Sequence, residues 1–561
     1  MKADCLITHW NIQCDRRSSI ASRFLAFVVK PIISVTATTQ EFYPDHCRCF
    51  SNGEWILLSF VRLLMYKTAM FLYQSQAVYA LDKMAVEVDG FSEIELMQRA
   101  GNRVWQEISD RWPGLTCVTI FAGSGNNGGD AFVVALRALE SAVTVQLICK
   151  GDLTRQSATS KHFHQLWLQA GGEVDHWQQQ PIKGDIIVDG LLGIGLSREL
   201  DKAYQKLITT INQTPAIRIA IDIPSGLNAD TGIAQPVAVN ADLTVTFIAA
   251  KVGLCLVDGP DYCGELVLDD LGISSNTLRT APQVLELIDE RNVLLPTKRL
   301  RNSHKNLFGH VLVIGGNRGM SGAAMLAAGA ALRAGAGVVS VLVHPECVHN
   351  LIAMPELMVK SWDELNSCID QATVIVVGPG MGQGKEAKAC LKKLTHVNKP
   401  FVVDASALTI EFLDSLESQD IVITPHPGEA ASLLMTKSSL VQGDRIAASL
   451  GLVGRFPVVS VLKGSGSLIQ KSGLVPAINV RGHAGMATAG MGDVLTGLIA
   501  ALIGQNLSRF DAAKTAVLLH ALCAEAYLKE GDEVSLIATD IINHIPGVLK
   551  QLRTVNSKIN T

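Results

Sequence analysis

The chain of 561 residues is 48% hydrophobic and 18% charged, with 48 glycines and 19 prolines, which is ample to bury a sizeable core and excludes both a disordered chain and a small disulfide scaffold. Its 48 basic residues against 52 acidic ones leave a net charge of −4, and only 5% of residues are aromatic, so neither an electrostatic grip on nucleic acid nor a base-stacking platform is expected. Twelve scattered cysteines without a CxxC pair, and no apolar run of the ~18 to 20 residues a membrane span needs, predict a cytoplasmic enzyme with small-molecule partners, no nucleic acid and no membrane.

Residues 1–69 depart from the rest. They hold one glycine, Gly53, yet nine of the 30 aromatics and four of the 12 cysteines, and they carry +3 against −7 for the remainder. A basic pair, Arg16-Arg17, precedes the apolar stretch 24–35, but Lys30 and Pro31 break that stretch and no small-residue cleavage site follows promptly. His46, Cys47 and Cys49 stand too close together for the usual zinc spacing. An atypical extension outside the fold is expected here, with Met70 or a nearby residue opening the working protein.

From Met70 onward one pattern repeats: a short β-branched run, a glycine-rich or polar turn, then a helix-like segment. The runs 116–121, 185–189 and 217–222 lead into GSGNNGGD, GLLGIG and IPSG. Later, 310–314, 374–377, 401–403, 421–424 and 458–462 lead into GGNRGMSGAA, GPGMGQG, DASAL, PHPGE and KGSGS. Such runs predict strands buried on both faces, hence parallel sheets flanked by helices, with ligands bound at the carboxyl ends of the strands. The rhythm stops between about residues 274 and 307, where Pro282, Pro296 and the basic run 298–301 intervene. The expectation is an α/β protein of two domains, 70–285 and 286–561, each with its own sheet and able to fold independently.

The octet GSGNNGGD (residues 123–130) contains GxGxxG directly after a strand, a weak dinucleotide-binding signal by itself. Two features oppose that reading. The double Asn and the terminal Asp add side-chain ligands where a dinucleotide turn needs bare backbone, and the next strand, 143–149, ends in Lys150-Gly151 where a ribose-binding acid is wanted, with Asp152 nearby. A tight turn with Asp130 as a cap is the plain alternative. Asp189 and Asp222 each end an apolar run, a position of limited solvation that suits acid/base work. Asn127, Asp189 and Ser225 offer oxygens suited to a hard cation rather than to zinc. Lys251, in TFIAAK, is a candidate phosphate contact or proton-transfer partner.

The segment QAVYALDKMAVEVDGFSEIELMQRAG (76–101), with GSGNNGGD, DGLLGIG, DIPSG and TFIAAK, resembles the epimerase domain of bifunctional NAD(P)H-hydrate repair enzymes, from about Met70 to Gly272. That resemblance implies a Rossmann-like three-layer fold. It also implies that Asn126, Asn127, Gly128, Gly129 and Asp130, the loop Gly193, Ile194, Gly195, Leu196, Ser197, Arg198 and Glu199, and Asp222 bind the hydrated cofactor. By the same resemblance Asn127, Asp189 and Ser225 hold potassium.

In the second half HVLVIGGNRGMSGAA aims a helix amino terminus at an anion but lacks the GxxxxGK[ST] of a P-loop. KGSGS (463–467) follows a strand, and its amides with Lys463 suit a nucleotide phosphate. In AGMGDVLTG (489–497) successive glycines open a helix with Asp493 in its first turn, placed for a general base, with a helix cap as the plain alternative. The pairing of KGSGS with AGMGD resembles the ribokinase-like fold. With GGNRGMSGAA, GPGMG, DASAL and TPHPGE it is similar to the nucleotide-dependent NAD(P)H-hydrate dehydratases over about 305–549. The resemblance implies that Ala323, Gly382, His426 and Asp493 contact the hydrated cofactor, while Lys463, Gly464, Ser465, Gly466, Ser467 and Gly492 hold ADP or ATP with Mg²⁺. Met491 stands where relatives often carry a small residue.

Together the resemblances imply repair of hydrated NADH and NADPH. The first domain would interconvert the R and S hydrates, with Asp222 and Lys251 at the chemistry. The second would dehydrate the S form with ADP, giving AMP and phosphate, with Asp493 taking the hydroxyl proton. A homo-oligomer is the expected assembly. A vitamin-precursor kinase would use the second site and leave the first unexplained, and a non-catalytic scaffold would not need Asn127, Asp130, Asp189 and Asp222 together.

Overall fold

The structure, a computed structural model, describes residues 71–196, 198–350 and 354–559; the extension 1–69 lies outside them. Two sheets organise the chain. Seven strands form an all-parallel sheet in the order Asp175–His176, Thr144–Cys149, Cys117–Ala122, Ile186–Gly190, Ile217–Ile221, Leu243–Phe247 and Glu265–Asp269. The central strands are buried almost throughout, as their unbroken apolar runs require when helices cover both faces.

The second sheet has eleven strands. Its parallel body runs Met358–Ser361, Val338–Val343, His310–Ile314, Val374–Val377, Phe401–Val403, Ile421–Ile423 and Val459–Leu462. There the chain reverses through KGSGS, and Ser467–Lys471 and Ala477–Asn479 continue the sheet antiparallel. The last two strands come from earlier in the chain. Leu285–Leu287 pairs parallel with Ala477–Asn479, and Phe71–Leu72 pairs antiparallel with Leu285–Leu287.

The apolar core follows the same crossing. One cluster joins Leu72, Ile223, Leu254 and Leu256 to Phe401, Leu462, Leu468 and Ile478. Polar ties reinforce it: the Lys514 ammonium, itself buried, lies 2.9 Å from Glu286, and Arg481 lies 2.9 Å from Glu290 and also pairs with Glu525. On one face of the second sheet the helices Ser321–Arg333 and Met491–Gly504 touch closely. A methyl group on Gly497 would stand 2.0 Å from the Ala327 carbonyl oxygen, so only glycine allows this approach, and it fixes where Asp493 sits.

Candidate functional sites at two sets of strand ends

In the first sheet the neighbouring strands Cys117–Ala122, Ile186–Gly190, Ile217–Ile221 and Leu243–Phe247 end side by side, so the four loops that follow them converge. A side chain at Gly123 would meet the Leu191 carbonyl oxygen at 1.8 Å, so glycine is what lets the first two loops cross. Asp189 is fully buried. Its Oδ1 accepts from the Ser225 hydroxyl at 2.6 Å and the Leu191 amide at 3.2 Å, and its Oδ2 accepts from the Ser225 amide at 2.8 Å. Burial pushes the Asp189 carboxyl up to about 6, with those hydrogen bonds opposing. Ser225 Oγ also accepts from the Leu192 amide at 2.9 Å, and Asn127 Nδ2 donates to the Leu192 carbonyl at 2.9 Å. The three oxygen-bearing residues expected to hold a cation are thus gathered around one loop, together with a main-chain carbonyl. The donors are all oxygen, with a single carboxylate, which suits a weakly hydrated hard cation.

Asp222 follows its strand with φ at 65°, in the left-handed region. Its Oδ1 accepts from the Lys251 ammonium, from Thr246 Oγ1 at 3.2 Å and from the Phe247 amide at 3.2 Å. Lys251, 1% exposed, also donates to Thr246 Oγ1 at 3.0 Å and the Phe247 carbonyl at 2.9 Å. Among the described residues nothing donates to Asp222 Oδ2, so one oxygen is anchored and the other is available. Two further carboxyls share this field. Burial raises Asp82 to about 6, with Lys251 opposing and Asp222 adding, and it raises buried Asp130 well above the usual carboxylate range, with Asp222 and Asp82 adding. The Tyr79 hydroxyl is pushed up by burial and then by Asp222 and Asp82.

The remaining residues expected at this site divide. Gly128 and Gly129 form the first turn of the helix Asn126–Glu140, whose amino end has no side-chain cap. Gly193 lies against Asn127, and Gly195 against the Tyr79 hydroxyl. Asn126 is exposed, and its Oδ1 accepts from Ser157 Oγ at 2.7 Å. Ile194 and Leu196 are half-buried against the core, Arg198 and Glu199 are exposed, and Ser197 lies outside the described residues.

In the second sheet the strands ending at Val403, Ile423 and Leu462 are successive neighbours. Asp404, 2% exposed, is the hub. Its Oδ1 accepts from Lys463 Nζ at 2.8 Å and Thr424 Oγ1 at 2.8 Å, and its Oδ2 accepts from Thr496 Oγ1 at 3.1 Å. Thr496 belongs to the helix that begins at Met491, so the hub ties KGSGS to AGMGD. Asp493 stands in the first turn of that helix, after Gly490 at φ 89°, and no side-chain hydrogen bond caps the helix. The Asp493 carboxylate is therefore not spent on capping. Burial pushes it up to about 6, the Asp404 charge adds, and Lys463 opposes. A methyl group on Gly492 would stand 3.3 Å from Lys463 Nζ, so Gly492, Lys463 and Asp404 meet at one point.

His426 caps the helix Pro427–Leu433. Its Nδ1 accepts from the Gly428 amide at 3.0 Å and the Glu429 amide at 3.3 Å, and Glu429 Oε2 accepts from the His426 amide at 2.8 Å. Its ring is otherwise exposed. Gly382, at φ 72°, donates its amide to Ser406 Oγ at 2.9 Å. Gly380, two residues before it, packs on Ala323 in the first turn of Ser321–Arg333. Beside them a cavity of about 470 Å³ is lined by Gln383, Ala405, Ser406 and Glu429 among others. Among the described residues no group of three or more His, Cys, Asp or Glu is gathered to hold a metal, and no helix is long and apolar enough to cross a membrane. The eight described cysteines are unpaired, seven of them buried.

Comparison with known proteins covers both halves. The family described as NAD(P)H-hydrate dehydratase matches residues 311–547, and the family described as YjeF-related protein N-terminus matches residues 93–253. The chain is 41% identical over 481 residues to the bifunctional NAD(P)H-hydrate repair enzyme of Coxiella burnetii, covering 84% of this chain and 98% of that protein. It is 37% identical over 478 residues to the Escherichia coli protein of the same description, covering 83% and 92%. Among solved structures, an ADP/ATP-dependent NAD(P)H-hydrate dehydratase from Bacillus subtilis, co-crystallised with ATP and Mg²⁺, is 26% identical over 47% of this chain and 96% of its own, with a TM-score of 0.43.

Proposed function

We infer the roles of the two sites from the premise that the chain belongs to the family of bifunctional NAD(P)H-hydrate repair enzymes. It is accordingly an enzyme with two activities, epimerisation of the NAD(P)H hydrates and their nucleotide-dependent dehydration. Residues 70–285 carry the first and 286–561 the second, because each polar cluster is built from one of these segments alone.

At the first site Asp222 moves the proton. Lys251, Thr246 and the Phe247 amide hold its Oδ1, which leaves Oδ2 to meet the hydrated nicotinamide ring. The uncapped start of Asn126–Glu140 and the loop from Gly193 to Glu199 bind the rest of the molecule. Asn127, Asp189 and Ser225 would hold K⁺, which when bound supplies a positive charge beside buried Asp189 and fixes the loop at Leu192.

At the second site the free carboxylate of Asp493, in an uncapped first turn beside Lys463 and Asp404, is the observation that carries the assignment. Hydroxide leaves poorly, so the C6 hydroxyl of the S hydrate is phosphorylated before elimination. Asp493 takes the hydroxyl proton as its oxygen attacks the terminal phosphorus of ADP, and AMP departs. Loss of phosphate from C6 and of a ring proton then restores the double bond. Lys463 Nζ and the amides of Gly464, Ser465 and Gly466, with Ser467 and Gly492, hold the phosphates. Ala323, Gly382 and His426 line the hydrated nucleotide's place. Mg²⁺ would be held by the nucleotide phosphates and, when bound, would neutralise phosphate charge. Unpaired cysteines accord with a cytoplasmic setting. The expected assembly is a homo-oligomer, and sedimentation of the full chain measures it.

The test is to incubate the protein with the R and S hydrates, with ADP, with ATP and with neither, and to follow recovery of reduced-nicotinamide absorbance. Both epimers should be consumed only when nucleotide is present, with ADP the better donor and AMP and phosphate as products. A stable phosphorylated product without restored absorbance would make the second site a kinase instead.

A further inference from the structure

Arg445 opens the helix Arg445–Arg455 directly beneath KGSGS and is 2% exposed. Its Nη2 donates to the carbonyl oxygens of Leu462, Lys463 and Gly466, each at 3.2 Å, and its Nη1 donates to Gln442 Oε1 at 2.8 Å. Its Nε is buried and finds no partner, and among the described residues no carboxylate pairs with it. Burial lowers its pKa to about 10, which still leaves it charged at neutral pH. A buried guanidinium without an anion is expensive to maintain, so the missing counter-charge needs a source.

The loop above Arg445 offers one. With its carbonyls turned down onto Arg445, the amides of Gly464, Ser465 and Gly466 donate to nothing among the described residues. Gly464 sits at φ 142°, and a methyl group there would meet Arg445 Nη1 at 2.8 Å. From the other side Gly466 is pressed on the Cys255 carbonyl and Leu256. The loop is clamped, its free main-chain donors are the amides of Gly464, Ser465 and Gly466, and the formal charge behind it is positive.

We propose that Arg445 is a positioning residue for the nucleotide: it holds the KGSGS amides outward, and the phosphates of the bound nucleotide supply the anion that its buried charge lacks. This rests on the assignment of KGSGS to the nucleotide. Affinity should therefore grow with the number of phosphates, and Arg445 should set how steeply.

The experiment titrates adenosine, AMP and ADP calorimetrically into the full-length wild type, Arg445→Gln and Arg445→Lys. ADP affinity should fall about 10- to 100-fold in Arg445→Gln, as for loss of a charge-assisted interaction. Adenosine should change less than threefold, kcat for dehydration at saturating ADP should stay within about threefold, and epimerisation should be unaffected. Arg445→Lys keeps the charge and should retain most of the preference for ADP over AMP. ADP affinity within threefold of wild type in folded Arg445→Gln overturns the proposal. So does equal weakening of all three ligands, or loss of the ADP preference in Arg445→Lys. Ser465→Pro, which removes one loop amide, tests the loop by itself. Unchanged ADP binding there refutes the nucleotide assignment, whereas Arg445 is refuted separately if Ser465→Pro weakens ADP and Arg445→Gln does not.

Discussion

Asp493 is buried enough for its carboxyl to titrate near pH 6, and two measurements follow from that. As a general base it works ionised, so kcat/KM for dehydration should rise with pH and level off above about 6. Asp493→Asn should lower dehydration by ~10²- to 10⁴-fold with epimerisation intact. The same carboxyl binds its proton more tightly folded than unfolded, so its stabilising contribution is complete below about pH 4 and is lost as pH rises through about 6. A shift of about two units corresponds to at most about 3 kcal/mol, so Asp493→Asn should raise the melting temperature at pH 8 and leave it nearly unchanged at pH 4. Equal shifts at both pH values would mean the carboxylate is not strained by burial. At the first site Asp222→Ala should spare turnover of the S hydrate and restrict the R hydrate to its spontaneous epimerisation; equal loss of both in a folded variant would remove Asp222 from the epimerase. The aspartates at strand ends were legible because position after an apolar run implies a carboxyl held out of water. That signal applies equally to Asp404, at the head of DASAL. Asp82 and Arg445 carry no such local mark, since only the packing of distant loops makes their charges matter.

Strands were legible to within a residue, because β-branched runs between glycine turns leave little choice: 116–121 is observed as Cys117–Ala122 and 458–462 as Val459–Leu462. The two- and three-residue strands Phe71–Leu72, Leu285–Leu287 and Ala477–Asn479 were not, because so few residues establish no period and their pairing is decided by partners far along the chain. Helix contacts were similarly hidden. Gly497 in an isolated helix would favour replacement by alanine by about 1 kcal/mol. Against the Ala327 carbonyl at 2.0 Å the added methyl must push two helices apart, which typically costs about 1 to 3 kcal/mol. Gly497→Ala should therefore lower the melting temperature, and dehydration should weaken with it because the same helix presents Asp493. Epimerisation assayed at 25 °C should be unchanged. A stabilised variant would show that the helices have room to part.

Two glycine-rich sites on two sheets invite the expectation of two independent folding units. The sites do separate, but the packing is shared. Leu285, fully buried, belongs to the apolar cluster that joins both halves and lies in neither site. Leu285→Ala should cost about 2 to 5 kcal/mol and should move thermal inactivation of both activities together, with a single calorimetric transition for residues of both sheets. Two resolved transitions, only one of them shifted, would restore the independent units. The boundary was hard to place from sequence for the same reason: a division at 285/286 cuts through the strand Leu285–Leu287, which completes the second sheet by hydrogen bonding.

The edge strand Phe71–Leu72 has a consequence for how the protein is made. Its partner Leu285–Leu287 is translated about 215 residues later and leans in turn on Ala477–Asn479, so the edge begun at residue 71 is seated in its sheet only after about 400 further residues have been translated. At ~5 to 20 residues per second the ribosome takes tens of seconds over that distance. Leu72 for that whole interval, and Leu285 for its second half, both buried in the finished protein, are held on a nascent chain whose sheet edge is incomplete. The order of synthesis therefore leaves this seam for a chaperone to protect.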